Sequence, residues 1–174
     1  MLISTYDKAR NQINNGDIIF VRKKKTLVAK IIQFFTRSEY SHCAIAFWIE
    51  IAGVNRLMVV EAQGKTKRRI LNLSFYKEFD LDVVKVPVPW DSYANEALSK
   101  IGVTKYGYIS ALYVGLREFL LKECNIKLPQ KDVDSDDEIC SEFIAKVLKL
   151  PETVVSPQGL WEELGKKVDI RIEV

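Results

Sequence analysis

The chain of 174 residues holds a single histidine, His42, and its cysteines, Cys43, Cys124 and Cys140, are an odd count of three with no close pair. One histidine and no paired thiols leave nothing from which to build a zinc site, and scattered thiols do not make a disulfide framework. Free thiols in a reducing compartment are the expectation. Phosphate-cradling glycine loops are missing as well, since neither G-x-G-x-x-G nor G-x-x-x-x-G-K occurs. Long apolar runs are lacking too. The longest, Tyr106 to Leu121, is broken by Arg117 and Glu118 and is too short to cross a bilayer, and the opening Met1-Leu2-Ile3-Ser4-Thr5-Tyr6-Asp7-Lys8 has neither the basic start nor the apolar centre of a secretion signal. A cytoplasmic protein without a membrane span is therefore expected.

An excess of one sign of charge is also lacking. Lys and Arg number 26 against 23 Asp and Glu, a net +3, far from the footprint of a nucleic-acid binder, and no nucleic-acid partner is expected. What the chain has in plenty is apolar substance. With 48% hydrophobic residues in this length, one domain over 1–174 with a sizeable core is the expectation.

The pattern along the chain predicts α+β architecture with a mostly antiparallel sheet or small barrel packed against helices. A short polar helix over 5–14 ends at Asn15-Gly16, and Asp17 to Val21 is an apolar run of strand length. A largely buried helix is predicted over 27–35. Ser41 to Ile49 and Arg56 to Ala62 read as strands joined through Gly53 and Asn55, the turn chemistry of a hairpin, and pairing about that turn places His42 and Glu61 opposite one another. Leu81 to Val86 is a further strand closed by Pro87 and Pro89, followed by a helix over 91–101 stopped by Gly102 and a long buried helix over 107–124. An amphipathic helix opens at Cys140, Ser156-Pro157 starts another over 158–166, and Val168 to Val174 alternates as a half-buried strand.

Among the thiols, Cys140 has the strongest case for chemistry. A helix N-terminus carries partial positive charge that stabilises thiolate over thiol. Cys43 sits mid-strand among apolar neighbours and Cys124 ends a hydrophobic helix, so both read as core. A cysteine at a helix start is also commonly structural, and the acidic approach 132–138 would raise its pKa if those carboxylates faced the sulfur. His42 is next to Cys43 in its strand, so the two side chains point to opposite faces, His42 to a cleft and Cys43 to the core. Glu61, between Val60 and Ala62, is costly to bury unless paired, and His42 is the partner that the hairpin supplies. In that arrangement Glu61 orients the imidazole and the free ring nitrogen serves the thiol.

The acidic run fails as a calcium loop. Asp132, Asp134 and Asp136 match the first ligands, but Asp137 and Phe143 stand where glycine and glutamate belong. No metal or cofactor is expected. The basic clusters Arg22, Lys23, Lys24, Lys25 and Lys65, Lys67, Arg68, Arg69 are either solvated loop ends or a cationic rim that draws an anionic surface or substrate to the site.

Four stretches, Gly16-Asp17-Ile18-Ile19-Phe20, Tyr40-Ser41-His42-Cys43-Ala44-Ile45, Val59-Val60-Glu61-Ala62 and Ile139-Cys140-Ser141-Glu142-Phe143-Ile144, together resemble the circularly permuted, YiiX-like branch of the NlpC/P60 papain-like cysteine hydrolases. The histidine strand precedes the cysteine helix, as in that branch. The resemblance implies a papain-like fold with Cys140 as nucleophile, His42 as base and Glu61 as orienting acid. It implies hydrolysis or transfer at amide and related acyl bonds of peptide, cell-wall or lipid-like substrates. It also implies an oxyanion site at the Cys140 backbone N–H plus Tyr106 or Tyr108, although Gly107 follows Tyr106 where relatives often have aspartate. The resulting expectation is a thiol hydrolase working through an acyl-enzyme on Cys140. An acyltransferase on the same fold and a binding module that hydrolyses nothing are the alternatives.

Overall fold

The computed structural model describes residues 1–22, 38–62, 68–102, 139–154 and 156–174. In chain order these form β1 (Leu2–Ser4), α1 (Tyr6–Ala9) with a 3-10 turn at Arg10–Gln12, β2 (Ile18–Val21), β3 (His42–Ile51), β4 (Val54–Ala62) and β5 (Arg68–Asn72). After a 3-10 turn at Leu73–Tyr76 come β6 (Leu81–Val84), a second turn at Trp90–Ser92, α2 (Ala94–Ser99), α3 (Cys140–Val147), α4 (Pro157–Glu163) and β7 (Ile170–Ile172).

The seven strands make one mixed sheet in the order β1-β7-β6-β2-β3-β4-β5. Every neighbouring pair is antiparallel except β1 with β7. The α+β expectation therefore holds. The small-barrel alternative does not, because the described sheet is open, with β1 at one edge and β5 at the other.

Apolar layers cover both faces of the sheet centre, which is why β2 reads as an uninterrupted hydrophobic run. Ile18 and Phe20 join Cys43, Ile45 and Val60 on the side covered by Phe143, Ile144 and Val147 of α3 and Leu160 of α4. Ile19 and Val21 join Ala44, Ala46, Leu57 and Val59 on the other side, beneath Ala9, Ile13 and Tyr76. The alternation is the two-residue period of a strand applied to a sheet buried on both faces.

Turn chemistry joins the pieces where the sequence signals it. Ala52 and Gly53 both have positive φ, at 52° and 75°, and close the β3–β4 hairpin. Gly16, at φ 88°, delivers the chain into β2, and its carbonyl accepts a hydrogen bond of 3.1 Å from the Tyr93 hydroxyl. A Cβ there would strike that hydroxyl, so glycine is required twice over, by φ and by space. Ser156 caps α4, its Oγ accepting from the Gly159 N–H at 3.0 Å, with Pro157 in the first turn.

Several boundaries differ from the expectation. β6 ends at Val84, three residues short of Pro87, and the helix predicted over 91–101 divides into the Trp90–Ser92 turn and α2. The predicted helices over 27–35 and 107–124, Cys124, and the acidic run 132–138 lie outside the described residues. Among the described residues, no helix is long and apolar enough to cross a membrane.

Candidate active site

The Cys140 helix is built for its place. Ile139 is extended at the N-cap, its N–H donates to Glu142 Oε2 at 3.3 Å, and Cys140, Ser141, Phe143, Ile144, Ala145 and Val147 are all buried against the sheet. Amphipathic packing therefore fixes which turn meets the sheet and brings Cys140 to the beginning of β3. The Cys140 sulfur is the meeting point of three donors. It accepts hydrogen bonds from the His42 ring, from the Cys43 thiol and from the Cys43 backbone N–H.

His42 faces Glu61 with its other nitrogen: Nε2 lies 2.8 Å from Glu61 Oε2. That leaves Nδ1 for the sulfur. Direct opposition of the two residues across the hairpin does not occur. The ladder pairs Ile45 with Val60, so Glu61 faces position 44 and His42 is its diagonal neighbour on the same face, a separation of roughly 7–8 Å between Cα atoms that a carboxylate and a ring can bridge. The expected partnership is present, reached one diagonal step away from the expected register.

Glu61 is wholly buried and fully engaged. Oε2 also accepts the Tyr76 hydroxyl at 2.5 Å, and Oε1 receives Arg69 Nε and Nη2, each at 2.8 Å. Arg69 sits directly opposite Glu61 on β5. Burial pushes the Glu61 carboxyl up, but the His42 charge and the hydrogen bonds from His42, Tyr76 and Arg69 outweigh it and bring the group to about 2. Burial pushes His42 down, and Glu61 together with Cys140 more than reverses this, raising it to about 9. Burial also pushes the Tyr76 hydroxyl and the Cys43 thiol up, so both remain protonated donors. Cys140 falls well below the ordinary thiol value because the Cys43 hydrogen bond, the His42 charge and the His42 hydrogen bond outweigh burial. Near neutrality the cluster thus holds two anions, Cys140 and Glu61, and two cations, His42 and Arg69.

Sequence reasoning missed Cys43, Tyr76 and Arg69. Cys43 is in the core, as expected, but its thiol also touches the Cys140 sulfur. The three described arginines of the basic clusters each have partners within the chain. Arg69 binds Glu61. Arg68 is buried, its Nη1 donates to the carbonyls of Glu96 and Ala97, and its guanidinium lies over the Phe143 ring at 4.2 Å. Arg22 lies 3.2 Å from Asp82 and 3.4 Å from Glu173. Lys23, Lys24, Lys25, Lys65 and Lys67 are outside the described residues, as are Tyr106 and Tyr108. Among the described residues, no group of three or more His, Cys, Asp and Glu side chains is arranged to hold a metal ion.

A second buried carboxylate, Asp82, accepts from Arg171 Nε and Nη2 at 2.9 Å each and from the Tyr40 hydroxyl at 2.9 Å. Its partners, Arg22 included, come from β7, the approach to β3 and the end of β2, so it ties strands together and does not join the Cys140 cluster.

No protein-family profile and no curated protein matches the chain. Among solved structures, it is similar to the crystal structure of the metalloprotein yiiX from Escherichia coli O157:H7, a DUF1105 protein, with 17% sequence identity, 84% of this chain and 94% of that chain covered, and a TM-score of 0.45.

Proposed function

We propose that the chain is a thiol hydrolase of the circularly permuted NlpC/P60, papain-like type, cleaving an amide in a peptide or lipid-like acyl substrate through an acyl-enzyme on Cys140. The observation that carries this reading is the unbroken chain of hydrogen bonds from the Cys140 sulfur through the His42 ring to the buried Glu61 carboxylate.

In the first half-reaction the Cys140 thiolate attacks the substrate carbonyl carbon, a C–S bond forms, and the carbonyl π electrons move onto oxygen. Collapse of that intermediate breaks the bond to the leaving amine, which takes the proton carried by His42. Water then attacks the thioester, His42 accepts its proton, and the sulfur departs as thiolate. Glu61 stabilises the imidazolium at each stage without taking the proton itself, because its affinity for a proton is far lower than that of the ring. The helix N-terminus at Cys140 supplies backbone polarity for the developing oxyanion.

Labelling with a thiol-directed acyl probe tests the reading. Cys140→Ser abolishes labelling in a protein that remains folded, whereas undiminished labelling of that variant overturns the assignment of the nucleophile. Product analysis with and without an added amine or lysolipid then distinguishes hydrolysis from acyl transfer. A folded protein that neither labels nor turns over any acyl substrate would be a binding module.

A further inference from the structure

The proposed reaction uses one thiol at this site, and the structure has two. Cys43 on β3 and Cys140 on α3 belong to the same buried cluster, and the Cys43 S–H donates a hydrogen bond to the Cys140 sulfur. Neither is in a disulfide. A purely apolar role for Cys43 would be served by valine or alanine. The thiol instead meets the Cys140 sulfur, and its backbone N–H approaches the same atom.

We propose that Cys43 and Cys140 form a reversible disulfide, and that Cys43 is the resolving thiol for oxidation of Cys140 by a hydroperoxide. The oxidant is a small hydroperoxide, hydrogen peroxide in the simplest case. In the first step the Cys140 thiolate attacks one peroxide oxygen, the O–O bond breaks, and Cys140 becomes a sulfenic acid while the other oxygen leaves as water after taking a proton. In the second step the Cys43 sulfur attacks the sulfenic sulfur, an S–S bond forms, and the hydroxyl leaves as a second water with the Cys43 proton. Cys140 loses two electrons to the peroxide in the first step. In the second, the Cys43 and Cys140 sulfurs share the resulting oxidation.

His42 assists both steps from where it stands. Its charge favours the attacking thiolate, and its proton can pass to the departing oxygen. The low proton affinity of Cys140 and the high one of Cys43 assign the roles, since the ionised sulfur meets the oxidant and the protonated one resolves. The disulfide removes the sulfur that the proposed function needs and protects it from further oxidation to sulfinic acid. In that consequence alone the inference rests on the function proposed above; disulfide formation itself does not.

The test uses the full chain with hydrogen peroxide as the probe, followed by peptide mapping without reductant. The expected result is a mass loss of two hydrogens, a cross-linked peptide pair containing Cys43 and Cys140, and full return of both thiols on treatment with dithiothreitol. In Cys43→Ala the sulfenic acid has no resolving partner, so Cys140 is trapped by dimedone or proceeds to sulfinic acid that dithiothreitol does not reverse. Cys124→Ser, treated in parallel, forms the same cross-link as the unaltered chain. Irreversible oxidation of Cys140 in the unaltered chain at the rate seen in Cys43→Ala, without a Cys43–Cys140 cross-link, overturns the inference. So does a cross-link that uses Cys124 instead. These readouts need no substrate: a disulfide without acyl turnover would refute the proposed function alone, and turnover without a disulfide would refute this inference alone.

Discussion

His42 Nε2 lies 2.8 Å from Glu61 Oε2 although the two residues are diagonal and not opposed in the β3–β4 ladder. The offset leaves room beside Glu61 for Arg69, its direct partner on β5, and for the Tyr76 hydroxyl. A carboxylate so surrounded is held in place by His42, Tyr76 and Arg69. It serves as a fixed negative charge behind the ring, and the ring in turn favours the ionised Cys140.

Replacing Glu61 with Gln removes that charge while keeping nearly the same volume. The His42 pKa falls from about 9, Arg69 loses its carboxylate, and breaking this buried ion pair costs about 3–5 kcal/mol. In the proposed reaction, loss of the orienting acid lowers acyl turnover by roughly two to four orders of magnitude. The pH dependence of unfolding in the unaltered chain follows from the same two groups. His42 is raised from 6.5 to about 9, so its stabilisation is complete below 6.5 and is lost as pH rises through about 9. Glu61 is lowered from 4.5 to about 2, so its stabilisation is complete above 4.5 and is lost as pH falls through about 2. Urea unfolding across that range checks both limbs, and Glu61→Gln removes the acid limb.

Tyr76→Phe isolates one donor of the cluster. The ring still fills its place between His42 and Phe79, but Glu61 loses a hydrogen bond to a charged acceptor, at a cost of about 1.5–3 kcal/mol. The Glu61 pKa rises because a donor that favours its ionised form is gone. Urea titration and carboxyl chemical shifts measure the two effects separately.

Gly16→Ala destabilises the turn into β2 through its φ of 88° and through contact with the Tyr93 hydroxyl. Tyr93→Phe removes the hydroxyl and the 3.1 Å hydrogen bond to the Gly16 carbonyl. The double variant is therefore less destabilised than the sum of the two single changes, because the clash no longer exists while the backbone strain remains. Strict additivity in unfolding free energy would show that the hydroxyl contact is unimportant.

Asp82→Asn tests the second buried carboxylate. Arg171 and Arg22 lose the negative charge between them, and the variant is destabilised by about 3–5 kcal/mol. The ionisation of Cys140 is unchanged, since Asp82 is not among the groups that set it. Urea unfolding together with thiolate absorbance separates a structural carboxylate from one that takes part in the site.

Local patterns carried much of this architecture, and tertiary meetings carried the rest. The Cys140 helix is legible because apolar residues recur on one face, the β3–β4 hairpin because Gly53 sits between two apolar runs, and α4 because Ser156-Pro157 is a strong start. The nearness of His42 to Glu61 follows from the hairpin, but its exact form does not, since a shift of two residues in register preserves the face and changes the partner. β5 is hidden because Arg68-Arg69-Ile70-Leu71-Asn72 lacks alternation and begins with charges that read as solvated. Those charges are held by groups on other elements, half-buried Arg69 by the Glu61 carboxylate and buried Arg68 by the carbonyls of Glu96 and Ala97. Tyr76 lies in a 3-10 turn with no periodic signal. The contact between Cys43 and Cys140 joins a strand to a helix nearly a hundred residues away in the chain, and no local rule reports such a pair. β1, with three residues, is too short for a period to register.

The ionisation of Cys140 tests the central claim most directly, through the ultraviolet absorbance of its thiolate, measured from acid to alkaline pH in the unaltered chain minus Cys140→Ser. The account predicts that the absorbance is already present at neutral pH, with a midpoint well below the ordinary thiol value of 9.0, and that His42→Ala moves that midpoint upward. A single transition near 9.0 that is indifferent to His42 would contradict it.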